Sequence, residues 1–176
     1  IPATNQLVEH DFDYRYKAAK VKAIVCTADG DVSAEAEKAA ANYPGMIKIM
    51  VGGSKEGWHD FNVEMERFST HYYRNENTPC GNDPMLMLFT SGTTGYPKMA
   101  VHNRTYPLGH IMTAKYMQCV QNNGLHLTQS DSGWAKFGWG NIYGQWICGS
   151  AILGYDPVRF SPEQLKQNEE NAYKLG

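Results

Sequence analysis

The feature that most constrains this chain is a repeated switch between short β-branched runs and helical spacing of apolar residues. Residues 21–27 (VKAIVCT) form a strand-like run that ends at Ala28-Asp29-Gly30. Ser33 opens an Ala- and Glu-rich stretch to Asn42, a helix by propensity, which Tyr43-Pro44-Gly45 stops. Residues 46–51 read as a second buried strand closed by Gly52-Gly53, and Phe61, Met65 and Phe68 (i, i+4, i+7) predict a helix over 60–71. Residues 85–90 form a continuous apolar strand, as expected where both faces of a sheet are covered. Beyond it the pattern predicts a helix over about 103–120, a strand over 125–128, a helix over 141–148 and a strand over 151–155. Ser161-Pro162-Glu163-Gln164 has the N-cap, N1 and N3 residues of a capping box opening a last helix. Strands alternating with helices imply an α/β fold with a mostly parallel sheet.

The polar stretch 73–84, with Pro79 and Gly81, divides the chain into a first βαβα portion (1–72) and a second portion (85–176). At 176 residues the length is that of one ordinary domain. The last helical pattern runs to Gly176 with nothing after it to pack, and both ends read as cuts in a longer protein.

Charge narrows the function classes. Lys and Arg number 16 against 18 Asp and Glu, a near balance that lacks the strongly basic face of a nucleic-acid binder. The four cysteines (Cys26, Cys80, Cys119, Cys148) have neither CxxC nor zinc-site spacing, so they read as small buried apolar residues in a reducing compartment. The N-terminal residues lack a signal-peptide pattern and the longest clean apolar run, 85–89, is too short to span a bilayer. A soluble, cytoplasmic protein is expected.

One segment carries chemistry: Thr90-Ser91-Gly92-Thr93-Thr94-Gly95-Tyr96-Pro97-Lys98, directly after the apolar strand. Glycines let backbone N–H groups close on an anion, hydroxyls add donors, and Lys98 adds a mobile positive charge. Gly/Ser/Thr clusters are more often plain surface loops, but Pro97 stiffens this one. Its expected place after the carboxyl end of a parallel strand is also where α/β folds bind ligands. It is not a Walker A loop, because Tyr96 and Pro97 separate the second glycine from the lysine and Met99 follows it. Trp134 and Trp139 lie in the Gly-rich stretch 133–144, where rigid rings beside glycines suit either a shaped apolar pocket or ordinary core. His102 and Lys136 are given no role. Asp131-Ser132 has neither a neighbouring His nor the GxSxG elbow of a hydrolase.

The 90–98 segment resembles the nucleotide-binding motif of the adenylate-forming enzymes: acyl-CoA synthetases, luciferases and peptide-synthetase adenylation domains. Met99, Ala100 and His102 resemble the medium-chain acyl-CoA synthetase branch, since most other branches have Gly after the lysine. Ser130-Asp131-Ser132-Gly133-Trp134 is similar to that branch's SDTGW block, and residues 1–4, 21–26 and 57–62 are similar to it as well.

The resemblance implies part of a large N-terminal domain. Its parent enzyme would use ATP and Mg2+ to convert a short- or medium-chain carboxylic acid to acyl-AMP, then pass the acyl group to CoA. It implies that Thr90, Ser91, Gly92, Thr93, Thr94, Gly95 and Lys98 hold nucleotide phosphates, and that Trp134 and Trp139 border the acyl and pantetheine channel. The family's adenine, ribose, magnesium and catalytic-lysine motifs have no counterpart here, so the isolated chain is expected to be inactive. Two alternatives stay open: an aryl-acid or carrier-protein-loading ligase, and a noncatalytic nucleotide-binding scaffold.

Overall fold

A computed structural model describes residues 1–91, 95–155 and 161–175. The chain forms two compact units, one of residues 4–78 and the other of residues 1–3 with 79–176.

In the 4–78 unit, α1 (Glu9–Ala19) precedes β1 (Ala23–Thr27), α2 (Val32–Ala40), β2 (Ile47–Val51), β3 (His59–Asp60) and α3 (Phe61–Met65). β1 and β2 run parallel, with Ala23 opposite Ile47 and Thr27 opposite Val51, and β3 adds in parallel at Ile49 and Met50. Phe12 and Tyr16 of α1 and Ala36 and Ala39 of α2 pack with Cys26, Met50 and Trp58 in one core. The Tyr16 hydroxyl donates to the Ala36 carbonyl (3.2 Å), which ties the two helices together. Burial pushes that phenol well above its usual range. On the rim, the Glu37 carboxylate accepts from Lys55 (2.8 Å), Trp58 Nε1 (3.0 Å) and Lys48 (3.1 Å). Those three donors hold its pKa at about 2.

Two expectations change here. α1 is absent from the sequence reading because only two of its eleven residues, Phe12 and Tyr16, are buried. The helix expected over 60–71 stops at Met65: Phe61, Met65 and Phe68 are 42%, 48% and 74% exposed, and an amphipathic face this exposed gains little from continuing. Asp60 still caps it, accepting from Val63 N (3.1 Å).

In the second unit, β4 (Pro84–Thr90) pairs antiparallel with β5 (Lys98–Asn103), from Thr90 opposite Lys98 to Pro84 opposite Asn103. α4 (Tyr106–Met112) continues into a π-helical turn, Thr113–Met117. β6 (Leu125–His126) pairs parallel with β7 (Ala151–Ile152). Between them lie α5 (Ala135–Phe137), a second π-helical turn (Gly138–Tyr143) and α6 (Gly144–Ile147). α7 (Pro162–Leu175) closes the chain, and the Ser161 hydroxyl accepts from Gln164 N as a cap (3.1 Å).

Three further expectations are corrected. The 90–98 segment joins an antiparallel hairpin instead of leaving a parallel strand, because residues 98–103 turn back as β5 before α4 begins. The helix expected from 103 starts at Tyr106, since Asn103 ends the strand and its Oδ1 accepts from both Thr105 N and Thr105 Oγ1. Of the cysteines only Cys26 is buried; Cys80 and Cys119 are exposed and Cys148 is half-buried. Among the described residues, no helix is long and apolar enough to cross a membrane.

Candidate functional site

The hairpin register sets the loop. Thr90 and Lys98 face each other across the last rung, and Thr90 Oγ1 donates to the Lys98 carbonyl (3.4 Å), closing the loop's base. Ser91, Gly95, Tyr96 and Lys98 are all exposed. Gly95 sits at φ 95°, in the left-handed region, and a Cβ there would meet open space. The backbone conformation therefore requires the glycine, not a steric limit. The Lys98 ammonium makes no ion pair among the described residues, so its charge is available to an anion. An exposed hydroxyl, a left-handed glycine and an exposed ammonium on one short loop suit an anion with several oxygens. Gly92, Thr93 and Thr94 lie outside the described residues.

A second group of residues surrounds the π-helical turn Gly138–Tyr143. Tyr106 lies between His102 of β5 (ring centroids 4.3 Å apart) and His110 of α4 (4.5 Å), and meets Tyr143 edge-on at 5.8 Å. His110 in turn stacks on Trp139 at 6.0 Å with 18° between the planes. Burial first, and then the nearby His102, lowers the His110 pKa. Burial likewise raises that of Tyr106.

One residue past Trp139, the Gly140 carbonyl is the focus of a polar cluster. Gln145 Nε2 (2.7 Å), Gln118 Nε2 (3.0 Å), Thr128 Oγ1 (2.5 Å) and His126 Nε2 (3.1 Å) all converge on it. Gln145 Nε2 also donates to Gln118 Oε1 (2.6 Å), and Asn141 Oδ1 accepts from Thr128 N (3.1 Å). A Cβ at 140 would sit 3.3 Å from Thr128 Cγ2, a tight contact, and 3.5 Å from Gln118 Nε2, an ordinary one.

The structure thus separates the two tryptophans. Trp139 is half-buried and stacked, whereas Trp134 is 64% exposed. The Asp-Ser-Gly before Trp134 is a turn: Asp131 Oδ1 accepts from Gly133 N (2.6 Å) and its carbonyl from Trp134 N (3.0 Å). Lys136 is exposed on α5. The sequence reading missed Tyr106, His110, Gln118 and Gln145. A signal existed for the first two, because His102, Tyr106 and His110 recur every four residues.

The chain belongs to the AMP-binding enzyme family, whose model matches residues 1–171. It is 31% identical over 166 residues to acyl-coenzyme A synthetase ACSM4, mitochondrial, of Homo sapiens, covering 93% of this chain and 28% of that protein. Over 155 residues it is 30% identical to 4-hydroxybutyrate--CoA ligase 1 of Metallosphaera sedula, covering 88% of this chain and 26% of that one. Among solved structures, the anthranilate CoA ligase AuaEII in complex with anthranoyl-AMP superposes with a TM-score of 0.77 at 19% identity, over 91% of this chain and 31% of that chain. The acyl-CoA synthetase of Brucella canis gives 0.76, also at 19% identity, over 97% of this chain and 30% of that one. These superpositions establish a shared fold. The chain spans about 28% of the length of the first of these curated relatives.

Proposed function

We propose that this chain is the phosphate-loop portion of an AMP-forming acyl-CoA synthetase acting on short- or medium-chain carboxylic acids. The observation that carries the reading is the hairpin loop, with Gly95 left-handed and an exposed Lys98 at its base. The similarity to acyl-coenzyme A synthetases supports the reaction class.

In the parent enzyme the acid, already ionised at neutral pH, attacks the α-phosphorus of ATP. The bond to pyrophosphate breaks and acyl-AMP forms; the CoA thiol then displaces AMP to give the thioester. The loop from Thr90 through Ser91, Gly92, Thr93, Thr94 and Gly95 to Lys98 holds the β- and γ-phosphates and stabilises the charge that gathers on departing pyrophosphate. Trp134 and Trp139 border the acyl and pantetheine channel. Among the described residues no group of three or more His, Cys, Asp or Glu is placed to hold a metal ion. The Mg2+ ligands are expected in other parts of the parent because the family's magnesium motif has no counterpart in this sequence, and no step is routed through them. The cysteine spacing supports a reducing compartment for the parent, read here as the cytoplasm; the human relatives are named as mitochondrial.

The test is product analysis of the parent with ATP, CoA and a panel of carboxylic acids. The reading expects AMP, pyrophosphate and acyl-CoA, with none from the 176-residue chain alone. ADP as the nucleotide product, or acyl transfer to a carrier protein in preference to CoA, would contradict it.

A further inference from the structure

We propose that Trp139 is held as a rigid wall by a clamp on two of its parts. The His110 ring holds the indole, and the donors that converge on the Gly140 carbonyl hold the backbone beside it, so that His110 and Gln145 are positioning residues for acyl selectivity. The clamp is a matter of geometry; its link to acyl choice rests on the function proposed above.

A π-helical turn is rare and has weaker internal hydrogen bonding than an α-helix, so it needs outside support to hold one shape. Here the support is concentrated on a single carbonyl. An oxygen with two lone pairs is approached by four donor groups from three separate stretches of chain: Gln118, then His126 and Thr128, then Gln145. Gln145 is fully buried and Asn141 is 1% exposed, while Gln118, His126 and Thr128 are half-buried, so the cluster is largely withdrawn from water. In such surroundings each retained hydrogen bond is strong, and removing a partner leaves a costly orphan.

The peptide held this way joins Gly140 to Asn141, one residue past Trp139, and it restrains the turn from which the indole projects. The ring is then fixed by its stack on His110, and His110 sits where it does because Tyr106 packs against it from the preceding turn of α4. Gly138 contributes room, since a Cβ there would lie 3.3 Å from the Tyr143 ring. Backbone and ring of Trp139 are thus restrained by different elements. Trp134, 64% exposed, has no comparable ring stack among the described residues.

The experiment labels the full chain with 5-fluorotryptophan and follows its tryptophan signals by fluorine NMR, alongside acyl-selectivity assays on the parent enzyme. His110→Ala and Gln145→Leu are expected to shift and broaden the Trp139 signal and leave that of Trp58 unchanged, which also reports folding. His110→Phe, which restores a ring, should recover the sharp signal. In the parent, His110→Ala and Gln145→Leu should change the ratio of kcat/KM between a longer and a shorter acid by about tenfold, the scale of one methylene in an apolar pocket. Adding either change to Trp139→Ala should produce no further shift, and the KM for ATP should hold.

Should Gln145→Leu not fold, Thr128→Val removes a donor at nearly constant volume and takes its place. An unmoved, sharp Trp139 signal in His110→Ala and in the donor variants overturns the clamp. A loosened Trp139 with an unchanged acid profile overturns its role in selectivity. If the parent forms no acyl-adenylate with any acid, the functional reading fails, and the fluorine signals still decide whether the clamp exists.

Discussion

Gly144 opens α6 with a helical backbone, so alanine at this position should on local grounds be stabilising. Relief from the conformational cost of glycine is worth about 0.5–1 kcal/mol. Packing opposes it. A Cβ at 144 would lie 2.7 Å from the Ala114 Cβ and 2.7 Å from the His110 carbonyl oxygen. Carbon atoms pack best at about 3.5–4.0 Å, so the overlap with Ala114 is about 1 Å. Neither neighbour can swing away: Ala114 is fully buried and has no rotamer, and the His110 oxygen belongs to the helix backbone. Overpacking of this kind typically costs about 1–3 kcal/mol, and with two rigid neighbours the upper end applies. Gly144→Ala should therefore destabilise by about 2 kcal/mol net.

Gly109, inside α4, is the matched control, because a Cβ there meets nothing within 4 Å. Gly109→Ala should stabilise by about 0.5–1 kcal/mol. Equilibrium urea unfolding of both variants, followed by far-UV circular dichroism, should give midpoints displaced in opposite directions with unchanged slopes. A Gly144→Ala variant as stable as the starting protein would refute the close approach of α4 and α6.

Glu37 has a folded-state pKa of about 2, below its ordinary value, so its contribution is present above the ordinary carboxylate range and is lost as pH falls towards 2. Discounted for partial exposure, Glu37→Gln should cost about 1 kcal/mol at neutral pH and flatten the acid limb of stability; an unchanged limb would remove the cluster from the account. The lowered pKa of His110 has the matching sign for a base: its stabilising effect is full above the ordinary histidine value and is lost as pH falls through the folded-state value. Proton NMR of the imidazole should give a midpoint below that of an exposed histidine, and a midpoint at or above it would contradict burial of the ring. Trp134→Ala in the parent should move preference towards bulkier acids, read from relative kcat/KM; an unchanged profile would separate Trp134 from the acyl channel.

What could be read from sequence follows from how each element is stabilised. β1 and β2 were legible because residues 21–27 and 46–51 concentrate apolar and β-branched residues between turn signals. α1 was not, because EHDFDYRYKAA presents a mostly solvated helix held by only two buried rings. β5 was hidden because KMAVHN follows the loop without strict alternation, and its strand character comes from pairing with β4. The π-helical turns follow neither the 3.6 nor the 2.0 period, and they depend on tertiary donors such as Gln118 that lie far away in sequence. For the same reason, the 90–98 loop was visible as a local motif, whereas the stack on Trp139 was assembled only by the fold.

By the function proposed above, the hairpin loop grips nucleotide phosphates during acid activation. Its most direct test compares two half-reactions of the parent carrying Lys98→Ala: ATP–pyrophosphate exchange, and thioester formation from supplied acyl-AMP and CoA. Loss of one charge-assisted contact of about 1.5–3 kcal/mol should slow exchange by roughly tenfold to a hundredfold. Thioester formation, which involves no pyrophosphate, should stay near the starting rate. Equal losses in both half-reactions would assign the loop to folding and contradict the claim.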